Sequence, residues 1–121
     1  MNTSNVHDVY RLCLDNKAVV LDVRSCVEFY EKYVDIPKVY HIPISEIDDR
    51  WIILPLNRKI FVFSEIGDDV SNIIDFLKLQ DFDVTLVDGG IVEWEGQGLP
   101  MVFKKMSMQC NHICECACKK M

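Results

Sequence analysis

A surplus of basic residues is the first thing missing from this sequence. Lys and Arg number 13 against 19 Asp and Glu, for a net charge of −6. Gripping nucleic acid through its phosphates needs a face rich in Lys and Arg, so that function class is disfavoured, and binding to anionic membranes is disfavoured on the same ground. Also missing is any apolar run long enough to cross a bilayer. Residues 1–10 are polar and lack the basic stretch and following apolar run of a signal peptide. No internal repeat is present. These absences set the expectation of a cytoplasmic protein with neither nucleic acid nor membrane as partner.

What is present fits one core of ordinary domain size, because 121 residues, 50% of them apolar, leave no room for a second. There are six cysteines. In a reducing compartment these are expected to be thiols, metal ligands or redox groups rather than structural disulfides. Four of them, Cys110, Cys114, Cys116 and Cys118, fall in the last dozen residues.

Val6, Val9, Tyr10 and Cys13 recur at i, i+3, i+4 and i+7, one stripe of an amphipathic helix with Thr3 or Ser4 as its cap. That stripe makes Cys13 a packing residue. Residues 18–23, 60–63 and 84–87 are short, nearly continuous apolar runs rich in β-branched side chains, as expected of strands covered on both faces in a parallel sheet. Between the last two, Val70, Ile73, Ile74 and Leu77 return to helical spacing behind Asp68 and Asp69, either of which can cap a helix. Alternating strand and helix means an α/β fold. Ser45 and Asp48 open a short helix running toward Trp51 and ending before Pro55. After Leu99-Pro100 the composition shifts to Met, Lys, Cys and Asn, so the sequence divides into a domain over residues 1–103 and a Cys/Met-rich tail over residues 104–121.

Leu21-Asp22-Val23-Arg24 followed by Glu28-Phe29 resembles the opening signature of rhodanese-like domains, the sulfurtransferase fold family. Ile36-Pro37 and His41-Ile42-Pro43 look like its next landmarks. Asp88-Gly89-Gly90, Trp94 and Gly98-Leu99-Pro100 are similar to its ending. The resemblance covers roughly residues 5 to 103. It implies a small, mainly parallel sheet of four or five strands flanked by helices.

It also implies an active-site loop after the strand at 60–63, where the family places a cysteine that accepts sulfur as a persulfide, together with anion-binding arginines. Here the loop reads Ser64-Glu65-Ile66-Gly67-Asp68-Asp69. Sulfur transfer needs a polarizable, low-pKa thiolate, and a serine hydroxyl can form no persulfide. Glu65, Asp68 and Asp69 would repel an anionic donor, and Asp69 stands where the resemblance places a loop arginine. The same substitutions exclude the cysteine-dependent chemistry of the small phosphatases that the family resembles. Read blandly, these carboxylates are helix-end chemistry that suits N-H groups and the helix dipole.

Cys26, just past the first strand, lies where loops line the crevice of a parallel sheet, and is the alternative nucleophile, with Arg24 near it. In the tail, Met106, Met108, Cys110, His112, Cys114, Cys116 and Cys118 occupy alternate positions. An extended backbone would space them about 6.8 Å apart. Tetrahedral zinc needs sulfurs roughly 3.8 Å from one another, so the segment would have to curl or pair. Cys110, His112, Cys114, Cys116 and Cys118 are the candidate metal ligands, for Zn or Cu(I). The plain alternative is an apolar edge strand without chemistry. Three readings of function follow: an inactive binding or regulatory module with a protein partner, a divergent sulfurtransferase or sulfur carrier using Cys26 or a tail cysteine, and a soft-metal handler using the tail.

Overall fold

The structure, a computed structural model, describes residues 3–66 and 70–103; Gly67, Asp68, Asp69 and the tail, with its candidate metal ligands, lie outside them. The chain opens with β1 (Thr3–Ser4) and α1 (Val6–Leu14), then β2 (Ala18–Asp22) and α2 (Cys26–Glu31). Next come β3 (Lys32–Val34), β4 (Val39–His41) and α3 (Ile47–Arg50), the last set between 3₁₀ turns at Ile44–Glu46 and Trp51–Ile53. The second half runs β5 (Lys59–Phe63), α4 (Ser71–Leu79), β6 (Asp83–Val87), α5 (Gly90–Gly96) and β7 (Met101–Phe103).

Five strands form one all-parallel sheet in the order β1-β6-β5-β2-β4. The apolar runs are explained by this placement: β2 and β5 are interior strands with both faces covered. Alternate residues go to opposite sides. Val19, Leu21, Ile60, Val62, Val84 and Leu86 pack under α3 and α4 with Ile47, Ile73, Ile74 and Leu77. Ala18, Val20, Phe61, Phe63 and Val87 pack under α1 and α5 with Val6, Val9, Cys13, Ile91 and Trp94. Full burial of each such side chain contributes about 1.5–3 kcal/mol.

Helix α1 is capped by Asn5, whose Oδ1 accepts from the Asp8 amide at 3.0 Å, rather than by Thr3 or Ser4. The predicted short helix after Pro43 is split among two 3₁₀ turns and the single turn of α3. Trp94 is fully buried, edge-on to Tyr10 and Phe63, and its Nε1 donates to the Pro100 carbonyl at 2.7 Å. That bond brings the chain back so that β7 pairs antiparallel with β3, Phe103 opposite Lys32 and Met101 opposite Val34. Among the described residues, no helix is long and apolar enough to cross a membrane.

Candidate functional site

Register places the site. Asp22 lies opposite Phe63 on one side and His41 on the other, so the carboxyl ends of β2, β5 and β4 finish at one level. In an open parallel sheet this edge is where ligands bind. The segments that follow these strands enclose a cavity of about 510 Å³, lined by Arg24, Ser25, Glu28, Ser45, Ser64 and Glu65 and floored by Val23, Pro43, Ile44 and Val70. Backbone bonds tie the loops together: Val23 N-H donates to Phe63 O, Ile44 N-H to Val23 O, and Ile91 and Val92 N-H to the carbonyls of Ser64 and Glu65.

Arg24 is the one cationic side chain among the described lining residues, and it is fully engaged. Its Nε and Nη2 hold the buried Asp22 carboxylate at 2.9–3.2 Å, Nη1 reaches Glu28 O and Glu65 Oε1 at 3.3 Å, and Nη2 donates to Lys32 O at 2.6 Å. Burial alone would lower its pKa, but the hydrogen bonds and charges of Asp22 and Glu65 hold it above the ordinary arginine value. The Glu28 carboxylate is not a partner of Arg24. Only the Glu28 carbonyl is, because the carboxylate closes a capping box with Ser25 at the start of α2.

Ser64 directly follows β5 and is 5% exposed. Its Oγ is buried and has no hydrogen-bond partner among the described residues. Among the described residues no base touches this hydroxyl, so they give it none of the activation a nucleophile requires. Glu65 is half-buried and spent on Arg24, and Ile66 is exposed.

His41, the last residue of β4, is not part of the lining but bonds to the backbone of Arg24, which is. Its Nε2 donates to the Arg24 carbonyl at 2.8 Å, its ring stacks on Phe29 at 4.1 Å, and Phe29 stacks in turn on Tyr33 at 4.5 Å. Burial pushes its pKa down, against a smaller upward pull from that backbone bond, leaving a neutral ring with a buried, unpartnered Nδ1 among the described residues. Neither Asp22 nor His41 stands out as a site residue in the sequence beyond its family landmark. The available signal was a charge pair, Asp22 and Arg24, standing beside a run of apolar residues, where only mutual pairing makes burial tolerable.

Cys26 is half-buried at the first position of α2, next to the lining residue Ser25, and is disulfide-bonded, unlike the buried, free Cys13. Burial pushes the Cys13 thiol up to about 12. The structure thus brings Ser64, Glu65, Arg24 and the start of α2 to one crevice. Among the described residues, no group of three or more His, Cys, Asp or Glu could hold a metal ion.

Comparison with known proteins agrees with this geometry. Residues 5–97 match the rhodanese-like domain model. A crystal structure of a rhodanese-related protein from Thermoplasma volcanium superposes with a TM-score of 0.74 at 30% identity, covering 84% of this chain and 98% of that one. A rhodanese-like domain protein of Staphylococcus aureus shares the fold with a TM-score of 0.72, at 22% identity over 87% of this chain and all of that one. YtwF of Bacillus subtilis (strain 168), named as a sulfurtransferase, is 28% identical over 86 residues, 71% of this chain and 82% of YtwF. A Porphyra purpurea protein named as a molybdopterin-synthase adenylyltransferase is 34% identical over 80 residues, 64% of this chain. The match spans only 20% of that protein's length. From the motifs, the sheet order and these matches together, the chain belongs to the rhodanese-like domain family.

Proposed function

We propose that this rhodanese-like domain does not perform the family's persulfide chemistry and serves as a binding or regulatory module for a protein partner, with the carboxyl-edge crevice as its contact site. The observation that carries the reading is Ser64, a buried hydroxyl with no base beside it among the described residues, just after β5, where the resemblance places the sulfur-accepting cysteine. The surroundings support it. Arg24 is consumed by Asp22, Glu65 and two carbonyls, so the described lining offers an anionic donor such as thiosulfate no unengaged cation. Glu28 and Glu65 favour a neutral or cationic group instead. The test is thiosulfate-to-cyanide transfer by the purified chain. The reading expects a rate at the protein-free background, and robust turnover would overturn it.

A second reading, a sulfur carrier built on Cys26 once its disulfide is reduced, draws on that residue's place beside Ser25 at the crevice and on the likeness to YtwF. It predicts transfer that is lost in Cys26→Ser and unchanged in Ser64→Ala. A metal-handling tail remains a proposal on residues outside those described, and it is tested by whether bound Zn or Cu(I) disappears with residues 104–121.

A further inference from the structure

We propose that the carboxyl-edge crevice holds the side chain of a lysine presented by the protein partner, its ammonium group taken by Glu28, Glu65 and Ser64. The inference rests on reading that crevice as a contact site and names the group it grips. Three acceptors in the cavity of about 510 Å³ have capacity left. Ser64 is 5% exposed, and its buried Oγ has no hydrogen-bond partner among the described residues. Glu65 accepts from Arg24 through Oε1, and Glu28 accepts from Ser25 through Oε1. The Oε2 atom of each carboxylate makes no hydrogen bond among the described residues.

These acceptors stand together because one side chain ties their segments. Arg24 Nη1 donates at 3.3 Å both to the Glu28 carbonyl and to Glu65 Oε1, so α2 and the segment after β5 are each one hydrogen bond from the same nitrogen. Ser64 precedes Glu65 and lines the same cavity. A buried hydroxyl without a partner carries the desolvation penalty of an unmade hydrogen bond, and a donor entering from the crevice relieves it.

Charge selects the donor. Arg24 is one cation among three carboxylates, Asp22 beneath it and Glu28 and Glu65 in the lining, so the crevice is short of positive charge after every described pair is counted. A neutral ligand would satisfy Ser64 and leave that deficit, and an anion would deepen it. A metal ion is not favoured, because among the described residues no group of three or more His, Cys, Asp or Glu could hold one. Of the two cationic side chains, guanidinium is a planar fork suited to a single carboxylate, as Arg24 already shows with Asp22. An ammonium is a compact charge with three donors, one for each acceptor here.

Apolar surface decides between a lysine on a protein and a free amine. Val23, Pro43, Ile44 and Val70 floor the crevice and suit the methylene stem of a lysine. Ile44 and Val27, the latter next to Glu28, are 55% and 72% exposed. A small amine would leave these two side chains in water, whereas the surface around a partner's lysine would bury them.

The experiment titrates the full-length, nitrogen-15-labelled chain with acetyl-Leu-Gly-Lys-Gly-Leu-amide, its norleucine counterpart and n-butylammonium, following backbone amide shifts by NMR. Expected is saturable binding of the lysine peptide, with shifts concentrated in residues 24–28, 43–45 and 64–66 and an affinity at least about fivefold above the norleucine peptide. Glu65→Gln keeps an oxygen for Arg24 and Glu28→Gln keeps one for the capping box, so both retain the fold; each should weaken the lysine peptide by about twofold to fivefold. Ser64→Ala removes an orphaned hydroxyl, so it should leave the urea midpoint unlowered while weakening the peptide by a similar factor. Absence of binding, equal binding of the norleucine peptide, shifts spread over the acidic surface, or unchanged affinity in the glutamine variants would each overturn the site. Binding of n-butylammonium as tight as that of the lysine peptide would overturn the partner lysine in favour of a free amine. None of these readouts involves sulfur, so the thiosulfate assay judges the inactive crevice independently.

Discussion

Exchanging Arg24 for methionine should be among the most damaging single changes in this protein. The Asp22 side chain is 0% exposed and that of Arg24 2%, with three hydrogen bonds between them at 2.9–3.2 Å. Arg24→Met leaves the Asp22 carboxylate buried with no counter-charge, and it also frees the carbonyls of Glu28 and Lys32. Breaking a buried pair from one side costs about 3–5 kcal/mol. That is a large share of the roughly 5–15 kcal/mol that holds a domain folded. At about 4 °C per kcal/mol, Tm should fall by roughly 12–20 °C. The assay is equilibrium urea unfolding followed by circular dichroism. Asp22→Asn should also destabilise, by stranding the guanidinium, whereas Asp22→Leu combined with Arg24→Met should recover most of the loss because no charge is left buried. A loss below about 1 kcal/mol for Arg24→Met, the range of a solvent-screened surface pair, would refute the reasoning.

Three further outcomes follow from the same contacts. His41 has its folded-state pKa below the unfolded value of 6.5, so the unfolded chain takes up the proton first. Its contribution to stability is present above pH 6.5 and is lost as pH falls from there through the lowered folded value; His41→Phe should reduce the pH slope of stability in that window by up to about 1.4 kcal/mol per unit. Cys13, held near 12 by burial, should resist iodoacetamide at pH 8 in the native state and react fully in urea; native labelling at the rate of a free thiol would contradict its place under α1. Gly89 has φ of +79°, and a Cβ there would run into the Glu93 side chain, so Gly89→Ala should cost on the order of 1–3 kcal/mol by urea unfolding.

Much of the fold was legible in the chain because its interior strands are covered on both faces. The apolar runs at 18–23, 60–63 and 84–87 became β2, β5 and β6 almost residue for residue, and the stripes of Val6 to Cys13 and Val70 to Leu77 became α1 and α4, except that Val70 itself takes the N-cap position of α4 that was expected of Asp68 or Asp69. The β3–β7 pair was not legible, since Met101–Phe103 is three residues whose partner lies some seventy positions earlier. Short helices α2 and α5 were hidden for a related reason: α2 buries no residue, and α5 begins at glycines with positive φ rather than at a side-chain cap. Ser64 could be located from the order of motifs. The engagement of Arg24 could not, because its contact with Glu65 exists only when β2 and β5 lie side by side, and that with the Lys32 carbonyl only once α2 has formed between them.

The central claim is that this crevice takes up no sulfur, either just after β5 or at Cys26, and the mass of the protein after exposure to thiosulfate tests it most directly. Full-length chain is incubated with thiosulfate, alkylated and weighed intact and as peptides. The account predicts no added sulfur on any peptide covering residues 59–66 and none on Cys26. A stoichiometric sulfur adduct on the purified wild-type domain, retained in Ser64→Ala and lost in Cys26→Ser, would contradict it.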